Sequence, residues 1–198
     1  MRGRSMVVCS LLVVGCTASA SVVSAAHPQE RHGFWISLGI GAGSAQVTCD
    51  GCEGGRETDF VAHIALGGTL NDHFLLGADT NFWSKEKEGV TVNLYNALAT
   101  VTFYPVASSG FFLKAGAGLS FADNDLRNGS TTVTVDFGNG LGLIAGAGYD
   151  LRIGRNTSIT PAVSFWYGRH GDVKLGGETV FGNWKHNVVD FTVGITFH

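Results

Sequence analysis

Along most of this chain apolar residues fall on every second position, in eight bursts separated by turn-forming residues. The last burst, His186 to His198, shows the pattern most plainly. Val189, Phe191, Val193, Ile195 and Phe197 fall on one side of an extended chain, and Val188, Asp190, Thr192, Gly194 and Thr196 fall on the other. The first burst runs from Gly33 to Thr48, with Phe34, Ile36, Leu38, Ile40 and Ala42 opposite Trp35, Ser37, Gly39, Gly41 and Gly43. The others run over Thr58–Leu70, His73–Ser84, Val90–Tyr104, Phe111–Ala122, Gly138–Ile153 and Asn156–Arg169. In each, one face is apolar and the other carries glycine, hydroxyl and charged residues. No segment after residue 26 has helical periodicity, so the pattern predicts an all-β chain.

The connections between bursts differ in kind. After the second, fourth and sixth they are Asn71-Asp72, Pro105 to Gly110 and Gly154-Arg155, which read as tight turns. After the first, third, fifth and seventh they are Cys49–Glu57, Lys85–Gly89, Asp123–Phe137 and His170–Lys185, which read as mostly longer polar loops. An amphipathic strand at a chain end exposes unpaired backbone groups unless it pairs on both edges, and a last strand that zips onto the first removes the edge.

The N-terminus adds an address. Arg2 and Arg4 precede an apolar run from Met6 to Val14 and then small residues, the layout of a secretory signal peptide cleaved after Ala26. Two alternatives stay open: a retained membrane helix, and lipidation at Cys16, where Val13-Val14-Gly15-Cys16 resembles a loose lipobox. The division expected is therefore a signal over 1–26 and one β-domain over 27–198. Without the signal the chain has 11 basic and 16 acidic residues, a net charge of −5, which argues against nucleic acid or other polyanions as partners.

A C-terminal amphipathic strand with an aromatic near its end, alternation in eight segments, and short turns sorted to one rim together resemble the small OmpA-like and OmpX-like outer-membrane barrels. Here Phe197 is penultimate and His198 last, where that family usually ends on Phe or Trp. The resemblance implies an eight-stranded antiparallel up-and-down transmembrane β-barrel in the cell outer membrane, with both termini on the periplasmic side. It also implies a monomer, partners in outer-membrane lipid and lipopolysaccharide, and a closing strand (Phe191, Val193, Ile195, Phe197) read by the barrel assembly machinery during insertion. The family's roles are membrane integrity, adhesion or surface binding through loops, or a narrow channel; no cofactor is implied. On this reading the apolar face meets lipid, with aromatics near both ends of the belt: Phe34, Phe74, Phe103, Phe111, Tyr149 and Phe197 toward the turn rim, Phe82, Phe121, Phe165 and Tyr167 toward the loop rim. His63, Asp79, Lys114, Asp150, Arg152 and Asp190 fall on the other face and are assigned to an interior polar network, because a basic group on the lipid side costs about 2–4 kcal/mol near the midplane. Lys114 and Asp150 sit at similar depths on neighbouring strands, which predicts their contact.

Cys49 and Cys52, the cysteines left after cleavage, predict a structural disulfide stapling the first loop, ahead of a redox pair or half a zinc site. His170, Asp172 and His186 bracket the fourth loop at metal-ligand types, although loop histidines are usually solvated. Ser164, His170 and Asp190 approach the loop rim, as a lipid-modifying barrel enzyme would require, without a run that matches those enzymes; a non-enzymatic protein is the primary reading. Gly140-x-Gly142-x-x-Ala145 lies in a strand with no helix after it and is no dinucleotide site. Gly33-Phe34-Trp35 matches the opening of lipocalins, soluble barrels with an apolar calyx, so a secreted small-molecule binder remains an alternative.

Overall fold

The computed structural model describes residues 28–51, 54–128, 131–175 and 178–198, with the side chains of 126–136 and 172–181 set aside. Its strands are β1 (Phe34–Thr48), β2 (Glu57–Asn71), β3 (Phe74–Lys87), β4 (Val90–Phe103), β5 (Phe111–Asn128), β6 (Thr131–Tyr149), β7 (Leu151–Arg152), β8 (Thr157–Leu175) and β9 (Glu178–Phe197). The two-residue β7 continues β6 beyond a break at Asp150, so these segments form eight staves. Each stave is antiparallel to both neighbours, in the order β6-β5-β4-β3-β2-β1-β9-β8, and β6 pairs with β8 to complete the ring. The closure of last strand on first is long: β1 and β9 pair from Ile36↔Phe197 to Thr48↔Lys185. This is a closed eight-stranded antiparallel β-barrel, and the strand alternation carries into it, interrupted at Asp150 and by register shifts at Thr69–Asn71, Phe121–Asp123 and the outer end of β8.

Burial separates the two faces as the alternation predicts. Outward Leu38, Ile40, Ile64, Leu119, Val163, Phe191 and Ile195 are exposed, whereas inward Trp35, Asp79, Asn96, Ser120, Ile144 and Thr192 are buried. A water-soluble protein rarely leaves contiguous apolar surface larger than a few hundred Å²; here the belt runs round the whole wall. Its terminal border carries Phe74 stacked on Phe103, with centroids 4.9 Å apart, and its far border Phe82 beside Tyr95 at 5.2 Å.

The predicted long loops are corrected. Strand pairing in β5–β6 runs out to Asn128↔Thr131, and in β8–β9 to Leu175↔Glu178. Most of 123–137 and 170–185 is thus the wall of two tall hairpins. The third connection shrinks to Glu88-Gly89, with φ of 53° and 79°, the positive pair of a type I′ hairpin turn. Only the first far-rim link, between Thr48 and Glu57, keeps its length. These extensions rise beyond the apolar belt whose alternation marks the other strands. Thr131-Thr132-Val133-Thr134-Val135 is rich in β-branched residues, and Val133, Val135 and Phe137 alternate with polar residues, a strand signal too short to stand out beside Asn128-Gly129-Ser130.

The staves coil tightly enough that several inward glycines touch neighbouring backbone. A Cβ on Gly41 would lie 2.0 Å from the Phe191 carbonyl oxygen, whereas one on Gly68 would meet nothing within 4 Å. Gly41→Ala is therefore expected to destabilise the barrel by about 2 kcal/mol, and Gly68→Ala to leave it nearly unchanged. Urea unfolding in detergent, followed by heat-modifiable gel mobility, reads the difference; equal midpoints would contradict the strand-closure geometry.

Candidate functional site: the layered lumen and its two rims

Chain order stacks the lumen in layers. Near the rim that holds both termini, Trp35, Ala65, Leu75, Tyr104 and Phe112 form one buried apolar cluster. Toward the far rim Val61, Trp83, Leu94, Ile144, Trp166, Trp184 and Val188 form another. Charged residues sit between them: on β2 His63 lies between Val61 and Ala65, on β3 Asp79 between Leu75 and Trp83, on β5 Lys114 between Phe112 and Ala122. Lys114 Nζ donates to Asp79 Oδ2, and the other carboxylate oxygen accepts from Asn81 Nδ2 at 3.1 Å. Asp190 accepts from the Trp166 indole at 2.7 Å. Beneath this layer, a cavity of about 50 Å³ is lined by Ser37, His63, Thr102, Lys114 and Ser164 among others.

The predicted Lys114–Asp150 contact is absent. Lys114 is in register with Gly146, and Asp150 sits four residues further along, roughly 13 Å at strand rise. Lys114 turns instead to Asp79 two strands away. Asp150 belongs to a second group that closes the terminal rim. It accepts from Tyr104 Oη at 2.7 Å and Thr160 Oγ1 at 2.8 Å, with His198 Nε2 at 3.4 Å. Burial, followed by the Asp150 charge, pushes the Tyr104 hydroxyl well above its ordinary pKa, so it remains a donor. Thr160 in turn lies 2.8 Å from Thr196, which reaches Ser37 at 2.9 Å. Hydrogen bonds thus cross the β8–β9–β1 closure on its inner side.

Residues 28–32 cover this mouth. Arg31 lies with its guanidinium carbon 3.5 Å from the Tyr104 ring centre and donates to the carbonyls of Ala107 (3.0 Å) and Ser109 (2.7 Å). Gln29 donates to the Asp150 carbonyl at 3.0 Å, and Arg152 to the Glu30 carbonyl at 2.6 Å. The six residues assigned to the interior are therefore inside, but in two groups: Asp79, Lys114, His63 and Asp190 at mid-height, Asp150 and Arg152 at the terminal mouth. Sequence reasoning passed over Arg31 because its segment has no strand period. It also passed over Trp184, although continuing the alternation back from His186 places Trp184 inside.

Near the far rim, His186 packs edge-on against Trp166 and Trp184, and His170 lies edge-on to Trp184 with ring centres 4.8 Å apart. Ser120 Oγ is 3.5 Å from His186 Nε2, and both residues are fully buried. Ser164 and Asp190 are cross-strand partners on β8 and β9, with His170 further along β8. Of the metal candidates, the side chain of Asp172 lies outside the described residues. Cys49 is buried at the start of the first far-rim link, and its expected partner Cys52 lies outside the described residues, as does the signal segment. The closing-strand residues Phe191, Val193, Ile195 and Phe197 all face outward.

An all-round apolar exterior on a closed barrel, with charge kept in its lumen, defines an integral outer-membrane β-barrel. Residues 10–197 match the family model of the outer membrane protein β-barrel domain, and the chain belongs to that family. Among solved structures, Neisserial surface protein A (NspA) is similar at a TM-score of 0.57 and 18% identity, covering 85% of this chain and 98% of that one. Ail, the attachment invasion locus protein of Yersinia pestis, solved with the heparin analogue sucrose octasulfate, is similar at a TM-score of 0.51 and 13% identity, covering 83% of this chain and 99% of its own. At these identities the likeness is one of fold. No curated protein sequence matches the chain.

The buried ion pair makes a sharp stability test. Lys114→Met leaves Asp79 as an uncompensated buried charge and is expected to cost about 3–5 kcal/mol, whereas Lys114→Met with Asp79→Leu recovers most of the loss. Denaturant unfolding in lipid vesicles checks both; a single mutant as stable as the parent would contradict the pairing.

Proposed function

We propose that this protein is a non-enzymatic, plugged outer-membrane barrel whose tall far-rim hairpins form a contact surface on the outside of the cell. The observation that carries the reading is the triple seal of the lumen: the Arg31–Tyr104–Asp150 group at one mouth, the Lys114–Asp79 layer at mid-height and the tryptophan cluster above it. A continuous water column would have to break all three. The far rim, by contrast, invests its extra chain in β5–β6 and β8–β9 hairpins that rise beyond the apolar belt. Cleavage of the signal after Ala26, a Cys49–Cys52 disulfide, insertion by the barrel assembly machinery and a monomeric state complete this reading.

In planar bilayers the purified barrel is expected to show no steady unitary conductance, and neither is Arg31→Ala, because two seals remain. Stable ohmic steps from the unmutated protein would replace this reading by the narrow-channel one. Orientation is tested separately. An epitope inserted between Gly54 and Gly55 should bind antibody on intact cells; labelling only after permeabilisation would reverse the assignment of the rims.

A further inference from the structure

Charge is divided around the outer wall at the far rim. Among the described side chains, Arg56, Arg169 and Lys185 are exposed there on the arc from β2 through β1 and β9 to β8. The outward acids Glu86, Asp123 and Asp125 lie on the β3–β5 arc. Register brings the cations together. Gln46 pairs with Asn187, and one row further out Lys185 lies between Thr48 and Arg169, a step of roughly 7 Å along the strand. Arg56 is fastened to the lower row: Nε donates to Ser44 Oγ (3.2 Å), Nη2 to the Ser44 carbonyl (2.7 Å) and Nη1 to Asn187 Oδ1 (2.7 Å) and Gln46 Oε1 (3.5 Å). All four partners are neutral, so the guanidinium is positioned and its charge left for something else. Asp50, whose carboxylate accepts from Asn183 Nδ2 at 2.8 Å, lies a further row outward, and the described outward side chains of the arc remain net positive.

The same arc carries an apolar groove of about 500 Å³ in the belt below, lined by Leu38, Ile40, Ala62, Ile64, Val193 and Ile195. Ile40 is four residues from Ser44 on β1, roughly 13 Å down the wall, within reach of a fatty acyl chain whose headgroup sits at the cations. Anchored guanidinium and ammonium groups match phosphate oxygens, and a groove in the lipid-facing wall matches hydrocarbon. We propose that this arc binds a phosphorylated glycolipid of the outer leaflet, with phosphate on Arg56, Lys185 and Arg169 and one acyl chain in the groove. The inference rests on the far rim facing outward, as proposed above.

The test uses the full barrel refolded in a zwitterionic detergent and titrated with bis-phosphorylated lipid A, each variant first checked for heat-modifiable mobility. The combined R56Q, R169Q and K185Q variant is expected to bind lipid A at least about tenfold more weakly. Dephosphorylated lipid A should bind the unmutated barrel equally weakly, Ala62→Phe should weaken binding severalfold by filling the groove, and Lys87→Gln, at the lumen mouth, should not change it. Triple-variant affinity equal to the parent's, equal binding of the dephosphorylated lipid, or displacement by millimolar inorganic phosphate would each overturn the lipid site. Failure of the orientation would show instead as an epitope at Gly54–Gly55 hidden on intact cells, with binding in detergent intact.

Discussion

Everything in this molecule follows from a backbone that has no water to bond. In hydrocarbon each unpaired N–H or C=O costs several kcal/mol, so a sheet crossing the membrane must have no edge. The long antiparallel seam between β1 and β9 supplies that condition, tying the two ends of the chain into one ring. The seam explains the alternation, because a strand paired on both sides offers only two faces, one to lipid and one to the lumen. It also explains the glycines beside it: Gly41 and Gly194 let neighbouring backbones approach where any Cβ would collide with Phe191 or Leu38.

Once the outside is apolar, the inside has to solve a packing problem in a narrow tube. The solution is alternating layers rather than a uniformly polar lumen. Trp35, Leu75 and Phe112 fill the terminal half, Trp83, Trp166 and Trp184 the far half, and the Lys114–Asp79 pair is confined between them. Buried charges at such a site are costly unless matched, and here each carboxylate has a donor: Lys114 and Asn81 for Asp79, Trp166 for Asp190, Tyr104 and Thr160 for Asp150. The outer wall beyond the belt is freed from this constraint, which is why its charge can be sorted into a basic and an acidic arc.

The barrel was legible in the sequence wherever the lipid belt imposed a period of two, because burial on one face and hydrocarbon on the other both select against error. Val189 to Phe197 and Phe34 to Ala42 announce their faces directly. Legibility ended where the belt ended. The threonine-rich rise from Thr131 is strand, but its period of two shows only in Val133, Val135 and Phe137, beside the turn-forming run Asn128-Gly129-Ser130. The interior charges could be placed inside but not paired, since a pairing depends on register and tilt. A break at Asp150 and the reach of Lys114 across two strands carry no trace in spacing. The terminal plug was hidden for a related reason: Arg31 acts from an irregular segment through the carbonyls of Ala107 and Ser109.

The central claim is the sidedness of the wall, and spin labels placed one at a time along Thr192, Val193, Ile195 and Thr196 in lipid vesicles measure it directly. Collision rates with oxygen, which concentrates in hydrocarbon, should be high at Val193 and Ile195 and low at Thr192 and Thr196. The reverse alternation, or uniform access to a water-soluble nickel reagent at all four, would contradict the account.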